Sequence, residues 1–172
     1  MDDIFLGSYY NLRDELDKAC EKFTSMHISQ LECKKGCDSC CESLNIFPIE
    51  FYALQEELVG KNLPKFKWSQ KFGKSCRFLK NGECQIYNSR PIICRTQGLP
   101  LLYENKTGTG YELSVCKLNF KGVKVDTFTM DNALFMPPMN SKLFLLNQAF
   151  VSKFTHKKID HFKRFKLNTL LK

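Results

Sequence analysis

The sequence predicts a mainly α fold, a compact helical domain with small β hairpins and irregular, cysteine-rich loops. Apolar residues recur at steps of three and four near both ends of the chain, which is the spacing of amphipathic helices. Hydrophobic residues make up 43% of the 172 positions and include 15 phenylalanines, enough for a packed core. Nine cysteines, four of them within residues 33–41, interrupt the helical patterns and indicate loops. The length is typical of one domain, so we predict a single domain over residues 1–172.

The first predicted helix covers about the first 30 residues. Leu12, Leu16, Cys20 and Phe23 are three or four positions apart and would share one face of that helix. A free cysteine on such a face behaves as a small buried hydrophobe. We therefore expect Cys20 to belong to the core and not to a chemical site.

A second helix and a hairpin are predicted in the middle of the chain. Pro48 suits the first turn of a helix that Gly60 would end. Asn81-Gly82 is a strong turn signal and predicts a hairpin. Ser89 is expected to cap a short helix that follows it.

The C-terminal basic helices are predicted over residues 141–171, as one helix over 141–155 and another over 157–171. Residues 153–172 carry seven basic side chains and one acidic side chain. A basic amphipathic helix can lie on an anionic membrane or bind a partner. We favour a surface helix packed on its own domain, because a core of this size needs the C-terminal phenylalanines.

The formal net charge of +8 is distributed unevenly along the chain. Residues 1–60 contain 12 acidic and 5 basic side chains, whereas residues 61–172 contain 6 acidic and 21 basic ones. The basic half could recognise an anionic or protein partner, or offset the negative charge of a thiolate–metal centre. Within it, residues 61–82 interleave basic and aromatic side chains, which can grip single-stranded nucleic acid. We prefer a solvated linker there, since no nucleic-acid signature accompanies the pattern.

The sequence shows neither a signal peptide nor an apolar segment that could cross a membrane, which predicts a cytoplasmic protein without a transmembrane segment. No apolar run approaches the roughly 18–20 residues that cross a bilayer. The acidic start, residues 1–5, lacks the basic and apolar regions of a signal peptide. In a reducing cytosol, clustered cysteines more often bind metal or carry out redox chemistry than form disulfides. The cysteine-rich stretch from about residue 33 to residue 116 is therefore the predicted metal-binding region.

Four cysteines form the first cluster, with the pattern Cys33-x3-Cys37-x2-Cys40-Cys41. Metal ions prefer thiolates that a tight turn holds two to four residues apart. If residues 37–41 began a helix, three of these thiols would share one face. Neighbouring side chains rarely bind one mononuclear ion, so the pair Cys40 and Cys41 indicates a second site or a polynuclear cluster.

The second group of cysteines is more widely spaced and contains Cys76, Cys84, Cys94 and, farther along the chain, Cys116. A hairpin and a helix start could bring these residues together. The eight cysteines offer either two four-thiolate sites or one site with spare ligands. Soft thiolates select zinc, copper(I) or iron–sulfur clusters, and spacing alone does not separate these metals. Neither the ferredoxin spacing nor the paired knuckles of zinc ribbons occurs.

Together these motifs resemble a known family, the CxxCxxCC cysteine-cluster family of zinc- or iron-chelating domains. The resemblance covers about residues 33–97 and implies that the matching cysteines bind metal. Cys116 is our addition to that set, from its position. The motifs are Cys33-x3-Cys37-x2-Cys40-Cys41, Pro48-Ile49-Glu50, Cys76-Arg77-Phe78-Leu79 and Cys84-x-Ile86-Tyr87-x-x-Arg90-Pro91-x-x-Cys94-Arg95. The predicted metal ligands are Cys33, Cys37, Cys40, Cys41, Cys76, Cys84, Cys94 and Cys116.

The resemblance also bears on the metal and on the activity. Flagellin lysine N-methylases carry this cysteine region within a larger protein, and that kinship favours an iron–sulfur cluster over zinc as the cofactor. This chain is short, and its Gly108-Thr109-Gly110 lacks the strand–loop–helix context that binds a methyl donor. Autonomous methylation is therefore not expected.

Two arginines are candidate cofactor-binding residues, because Arg90 and Arg95 flank Cys94 in the motif. They could offset charge and donate hydrogen bonds to metal-bound sulfur. The alternative is an ordinary salt bridge with Glu50 or another acid. Both interpretations remain open from the sequence.

Three function classes follow from these observations. The first is an intracellular metal-binding protein with a structural or storage role. The second is an iron–sulfur enzyme or accessory in protein modification, similar to lysine methylation, and the third is a metal-stapled nucleic-acid-binding module. No catalytic residue is assigned, because His27, His156 and His161 show no ligand spacing and no P-loop, H-E-x-x-H or G-x-S-x-G motif occurs.

Overall fold

The computed structural model describes residues 2–33, 36–60, 75–154 and 159–170. Within these ranges the chain forms four α-helices and seven short β-strands. None of these helices combines the length and the hydropathy needed to span a membrane. The helices are α1 (Asp2–Met26), α2 (Pro48–Leu58), α3 (Ile92–Arg95) and α4 (Pro137–Phe154). The strands are β1 (Asn45–Ile46), β2 (Leu79–Lys80), β3 (Glu83–Cys84), β4 (Leu101–Glu104), β5 (Tyr111–Ser114), β6 (Leu134–Phe135) and β7 (Phe165–Lys166).

Helix α1 lies in the larger of two hydrophobic cores, where it packs against α4, α2 and α3. Leu12, Leu16 and Cys20 are buried at the predicted helical spacing. Burying such a face contributes roughly 1.5–3 kcal/mol for each large apolar side chain. Cys20 is 9% exposed, which confirms that it is a core residue.

Helix α2 begins at Pro48, as predicted, and the buried carboxylate of Glu50 caps its start. The Phe47 backbone N–H donates a hydrogen bond to Glu50 Oε2 over 3.0 Å. The other carboxylate oxygen, Oε1, accepts a 3.0 Å hydrogen bond from the backbone N–H of Ile92, the first residue of α3. One carboxylate thus joins the starts of two helices, and the second of them contains Cys94.

Strands β2 and β3 form the hairpin that Asn81-Gly82 predicts. The φ angles of these two residues are +52° and +74°, the left-handed conformation that an Asn-Gly hairpin turn requires. The register pairs Leu79 with Cys84. The predicted cap at Ser89 is wrong, because Ser89 lies in a 3-10 turn and the N-cap of α3 is Pro91 in an extended conformation.

A three-stranded sheet makes the fold more mixed than predicted. Strands β4 and β5 form an antiparallel hairpin, and β6 pairs with β4 in parallel. A parallel pair needs a long crossover, and a long crossover leaves no short-range turn signal in the sequence. The prediction of a mainly α fold is confirmed in part: substantial helix is combined with small sheets.

The C-terminal segment departs from the predicted helix over residues 157–171. In the described residues 159–170 it forms strand β7 and a 3-10 turn at Leu167–Thr169. β7 pairs antiparallel with β1, and the side chains of Leu167 and Leu170 are buried in the second core. Pairing with a distant strand therefore overrides the helical period here. The helix predicted over 141–155 is present as α4.

The second, smaller core lies against the cysteine-rich loops. Cys76 and Cys84 pack against its buried residues. The first cysteine cluster forms turns and not a helix, so the conditional helix at residues 37–41 does not occur. Most of the predicted basic linker, residues 61–74, lies outside the described residues. The buried members of this core are Ile46, Leu54, Leu58, Phe78, Ile86, Leu167 and Leu170.

Candidate metal centre

Seven of the eight predicted ligands line one open cavity of about 580 Å³. Its walls come from the 36–42 loop, from the β2–β3 hairpin and from the segment that leads into α3. All nine cysteines lie in the described residues, and none forms a disulfide. The cysteines that line the cavity are Cys33, Cys37, Cys40, Cys41, Cys76, Cys84 and Cys94.

A first thiol set consists of Cys33, Cys37, Cys40 and Cys116. Burial raises the pKa of the Cys33 thiol, and the nearby thiols of Cys37 and Cys116 raise it further, which places these three side chains close to one another. Cys40 interacts with the same two residues, Cys37 and Cys116. The fold thus brings Cys116 to the first cysteine cluster from a distant part of the chain.

The buried side chain of Asn119 connects the two loops that carry this set. Its Nδ2 donates hydrogen bonds to Cys33 Sγ over 3.3 Å and to the Gly98 carbonyl over 2.7 Å. Its Oδ1 accepts a 2.8 Å hydrogen bond from the backbone N–H of Glu32. Its own backbone N–H donates to the carbonyl of Cys116 over 3.1 Å. One asparagine therefore fixes both ends of the first thiol set.

Gly98 allows Cys33 to come close to the backbone. Its φ angle is +94°, a conformation that residues with a side chain rarely adopt. A Cβ atom at this position would lie 3.1 Å from Cys33 Sγ and 3.3 Å from Asn119 Nδ2. A glycine is therefore needed here both for the turn and for the space.

A second thiol set consists of Cys41, Cys76, Cys84 and Cys94. Burial raises the pKa of Cys41 and of Cys94, and the nearby thiols of Cys76 and Cys84 raise both further. Cys40, the chain neighbour of Cys41 in the first set, also raises the pKa of Cys41. The Cys76 backbone N–H donates a 3.0 Å hydrogen bond to the carbonyl of Cys41, which joins the two cysteine-rich segments. Backbone pairing in the hairpin and the start of α3 place the remaining two thiols.

The two arginines predicted near the sulfurs have different surroundings. Arg90 lines the cavity, and its guanidinium lies 3.6 Å from the centre of the Tyr87 ring. Its Nη1 donates a 3.4 Å hydrogen bond to the carbonyl of Cys94. Arg95 instead forms an ion pair with Asp17 of α1, and its Nε donates to the carbonyl of Arg90. Arg95 thus makes the ordinary salt bridge that the sequence offered as the alternative.

A third arginine, Arg77, lies next to the second thiol set and was not predicted. Its Nη1 donates to the carbonyls of Asn168 and Leu170, over 3.0 and 2.8 Å. Burial raises the pKa of the Cys76 thiol, and the positive charge of Arg77 opposes that rise. Arg77 therefore ties the C-terminal segment to the site and places a cation beside its sulfurs.

Burial favours the protonated form of six of the eight thiols in the absence of metal. It raises the pKa of Cys41 to about 12 and that of Cys94 to about 12, and the neighbouring thiols add to both shifts. Metals bind the thiolate, so each of these ligands must release a proton when metal binds. Burial also raises the pKa of Cys33, Cys40, Cys76 and Cys84.

The donor chemistry fits a thiophilic metal, but the thiols must move closer together to share one. As they lie, no three cysteine, histidine or carboxylate side chains among the described residues surround a point that could hold an ion. Neutral thiols gain nothing by gathering, whereas thiolates are drawn together by a cation. Soft thiolate ligands are the ones that zinc and iron–sulfur centres use. We therefore expect the loops to tighten when metal binds.

Sequence reasoning missed Asn119 and Gly98, and the reason is their distance from any motif. Gly98 follows the recognisable cysteine block, and Asn119 follows Cys116, the cysteine with the weakest support from spacing. Neither residue type indicates a metal site by itself. Their function becomes visible only when the fold places them against Cys33.

The fold and the cavity define a cysteine-cluster domain with a donor set suited to soft metals. The family model described as "CxxCxxCC: Putative zinc- or iron-chelating domain" matches residues 32–117, half of the chain. The chain belongs to this family, which confirms the resemblance seen in the sequence motifs. No curated protein and no solved structure is similar enough to the chain to match it.

Proposed function

We propose that the chain binds iron in iron–sulfur form through the eight cysteines of the two thiol sets, with zinc as the alternative metal. The observation that carries the proposal is the cavity of about 580 Å³, which seven of the eight thiols line. Four-thiolate ligation serves zinc and iron–sulfur clusters equally well. An open cavity of this size has room for inorganic sulfide as well as metal, whereas a closed zinc site requires only the four thiolates.

The other residues around the cavity have supporting parts in this proposal. Thiolates around a metal carry net negative charge, which Arg77 and Arg90 would offset. Asn119 would orient Cys33 through the hydrogen bond that it already donates to the sulfur. Bound metal and sulfide would supply an electron-carrying or structural centre, and the residues named here would hold it.

Elemental analysis tests the proposal directly. Protein purified without oxygen is assayed for iron, zinc and acid-labile sulfide per chain. Iron with matching sulfide is the expected result, whereas zinc without sulfide would replace the iron–sulfur centre by a zinc-binding role. A Cys37→Ala variant should bind less metal than the unmodified chain, and a matched Cys20→Ala variant should bind as much, because Cys20 is buried on α1. If the chain with reduced thiols contained no metal, and took up none during anaerobic reconstitution, the proposal would be wrong.

A second candidate function is an accessory or enzyme in protein modification, and the open cavity is the observation that favours it. Tyr87, which is 59% exposed, and Arg90 lie among its lining residues, where they could contact a bound substrate. Such chemistry needs an iron position that no cysteine holds. The electron paramagnetic resonance spectrum of the reduced protein, recorded with and without a lysine-rich peptide, separates the two functions. A spectrum that the peptide does not change would favour the structural or storage role.

A further inference from the structure

We infer that the eight cysteines form two separate metal centres, each held by four thiolates, and that the chain passes from one centre to the other between Cys40 and Cys41. The inference deepens the proposed metal binding and rests on it. The first thiol set would hold one centre, and the second thiol set would hold the other.

The first ground is that each set has its own supporting structure. Asn119 links Cys33 to the Cys116 loop and thereby fixes the first set. In the second set, Cys76 and Cys84 pack on the smaller core, and the backbone of Cys76 is bonded to that of Cys41. The contacts of Asn119 and the smaller core are separate supports, so each thiol set can be held in place without the other set.

The second ground is the backbone between Cys40 and Cys41. The Cys41 N–H donates to the Asp38 carbonyl over 2.8 Å, and this bond closes the turn that contains Cys40. Directly after Cys41, Glu42 forms an antiparallel bridge with Ser75. Cys40 therefore belongs to the turn of the first cluster, whereas Cys41 lies beside the bridge to Ser75 and accepts a backbone hydrogen bond from Cys76.

The two sets also differ in their exposure and charge. Cys33 of the first set is exposed to solvent, whereas the other seven thiols are half-buried, and Cys76 and Cys84 of the second set also pack against the smaller core. Two arginines, Arg77 and Arg90, lie beside the thiols of the second set. A chelator should therefore remove metal from the first centre before it removes metal from the second.

Zinc provides a simple probe of this division, because it binds thiolates without cluster assembly. The full-length, anaerobically reduced chain is loaded with zinc, assayed for zinc per chain, and alkylated so that mass spectrometry reports each cysteine separately. We expect two zinc ions per chain and protection of all eight ligands. Cys37→Ser should retain one zinc and expose Cys33, Cys40 and Cys116 to alkylation, while the second set stays protected. Cys84→Ser is the matched variant for the other set and should give the mirror result.

Cys20 reports whether each variant is folded, because this thiol is buried on α1 and belongs to neither set. If a variant exposes Cys20, partial removal of zinc from the unmodified chain decides instead, and the four thiols of the first set should become reactive together and first. Three results would overturn the inference. The first is one zinc per chain, and the second is that one variant exposes both thiol sets to alkylation while Cys20 stays protected. The third is that the thiols become reactive in groups other than these two sets. If the chain bound neither zinc nor iron, the proposed metal binding itself would be wrong. That result differs from one zinc per chain, which would contradict only the division into two centres.

Discussion

Asn119 shows how a single uncharged side chain can organise a metal site. It bonds to Cys33 Sγ, to the Gly98 carbonyl and to the Glu32 N–H while buried. We predict that Asn119→Ala lowers the free energy of unfolding by about 1–3 kcal/mol, because buried backbone groups lose their partners. Metal affinity should fall roughly 10–100-fold, as expected when the group that orients a ligand is removed.

Urea denaturation of the metal-free protein measures the first effect, and competition with a chromophoric chelator measures the second. Asn11→Ala is the matched control, since Asn11 is an exposed residue of α1. Equal metal affinity in Asn119→Ala and Asn11→Ala would show that Asn119 does not orient the thiols.

Glu50 contributes a pH-dependent part of the stability. Burial raises the pKa of its carboxyl to about 7, although the N–H groups of Phe47 and Ile92 and the charge of Arg164 oppose the rise. Below the unfolded-state pKa near 4.5 the carboxyl is protonated in both states, and its contribution is fully present. As the pH rises through about 7, the folded chain must ionise a buried group, and stability on the order of 3 kcal/mol is lost.

The measurement is the free energy of unfolding of the metal-free protein between pH 4 and pH 8, compared with that of Glu50→Gln. The stability of the unmodified chain relative to the variant should decline with rising pH, because the variant cannot ionise. Glu112→Gln, which changes an exposed carboxylate on β5, serves as the control and should leave the pH profile unchanged. A profile for Glu50→Gln parallel to that of the unmodified chain would contradict the assignment.

At the scale of elements, the β2–β3 hairpin limits how the first cysteine loop can lie. A Cβ atom on Gly82 would be 3.2 Å from Gly36 Cα, which directly precedes Cys37. We predict that Gly82→Ala destabilises the fold by about 1–2 kcal/mol, because a φ of +74° places a Cβ atom in a strained position. The displaced loop should also weaken metal binding by roughly tenfold, by analogy with other changes to ligand orientation.

Gly108 supplies the matched control for that prediction. Its φ is +69°, and a Cβ atom there would meet nothing within 4 Å. Gly108→Ala should therefore have a similar conformational cost while leaving metal affinity unchanged. If both variants bound metal equally well, the contact between the hairpin and the Gly36 loop would not matter for the site.

The elements that the sequence predicts well are those with local causes. The apolar stripe of α1, the proline at the start of α2 and the Asn81-Gly82 turn each act within a few residues. Strand β7 could not be predicted, since its pairing with β1 joins residues 165–166 to residues 45–46, which are far away in the sequence. Its amphipathic spacing suggested a helix, and burial of Leu167 and Leu170 against the second core decided the outcome.

The candidate site was predictable to a similar extent. Clustering of Cys33, Cys37, Cys40 and Cys41 is visible in the sequence, and family membership follows from the same motifs. The grouping of distant cysteines was not predictable, because it depends on long-range contacts such as that between Asn119 and Cys33. It stays a prediction that the eight cysteines ligate metal, and it stays a prediction that a partner binds the basic half.

At the scale of the whole molecule, the second core is expected to support the second thiol set. Leu170 is fully buried in that core, against which Cys76 and Cys84 pack. We predict that Leu170→Ala costs about 2–5 kcal/mol of folding free energy, the usual cost of such a cavity. Alkylation of the metal-loaded protein should become faster at the second thiol set than at the first.

Leu143→Ala is the control for this prediction, because Leu143 is a buried residue of the larger core. Its cost in folding free energy should be comparable, but it should not favour alkylation of one thiol set over the other. If Leu143→Ala loosened the second set as much as Leu170→Ala does, the smaller core would have no particular connection to the site.

Metal binding and folding should be coupled across the whole chain. Burial favours the protonated form of six of the eight thiols, and the thiols do not yet converge on one point. The metal-bound form should therefore differ from the metal-free form by proton release and by tightening of the loops. Metal at about 100 times its dissociation constant should add roughly 2.7 kcal/mol of stability for each centre. At a fixed metal concentration the gain should be larger at pH 8 than at pH 6, because the dissociation constant falls as deprotonation of the ligands costs less free energy. Thermal unfolding with metal and with excess chelator measures the gain: Cys20→Ala should retain it, and Cys37→Ala should lose about half. A gain that shrinks as the pH rises would mean that the stabilising ion binds elsewhere than at these thiols.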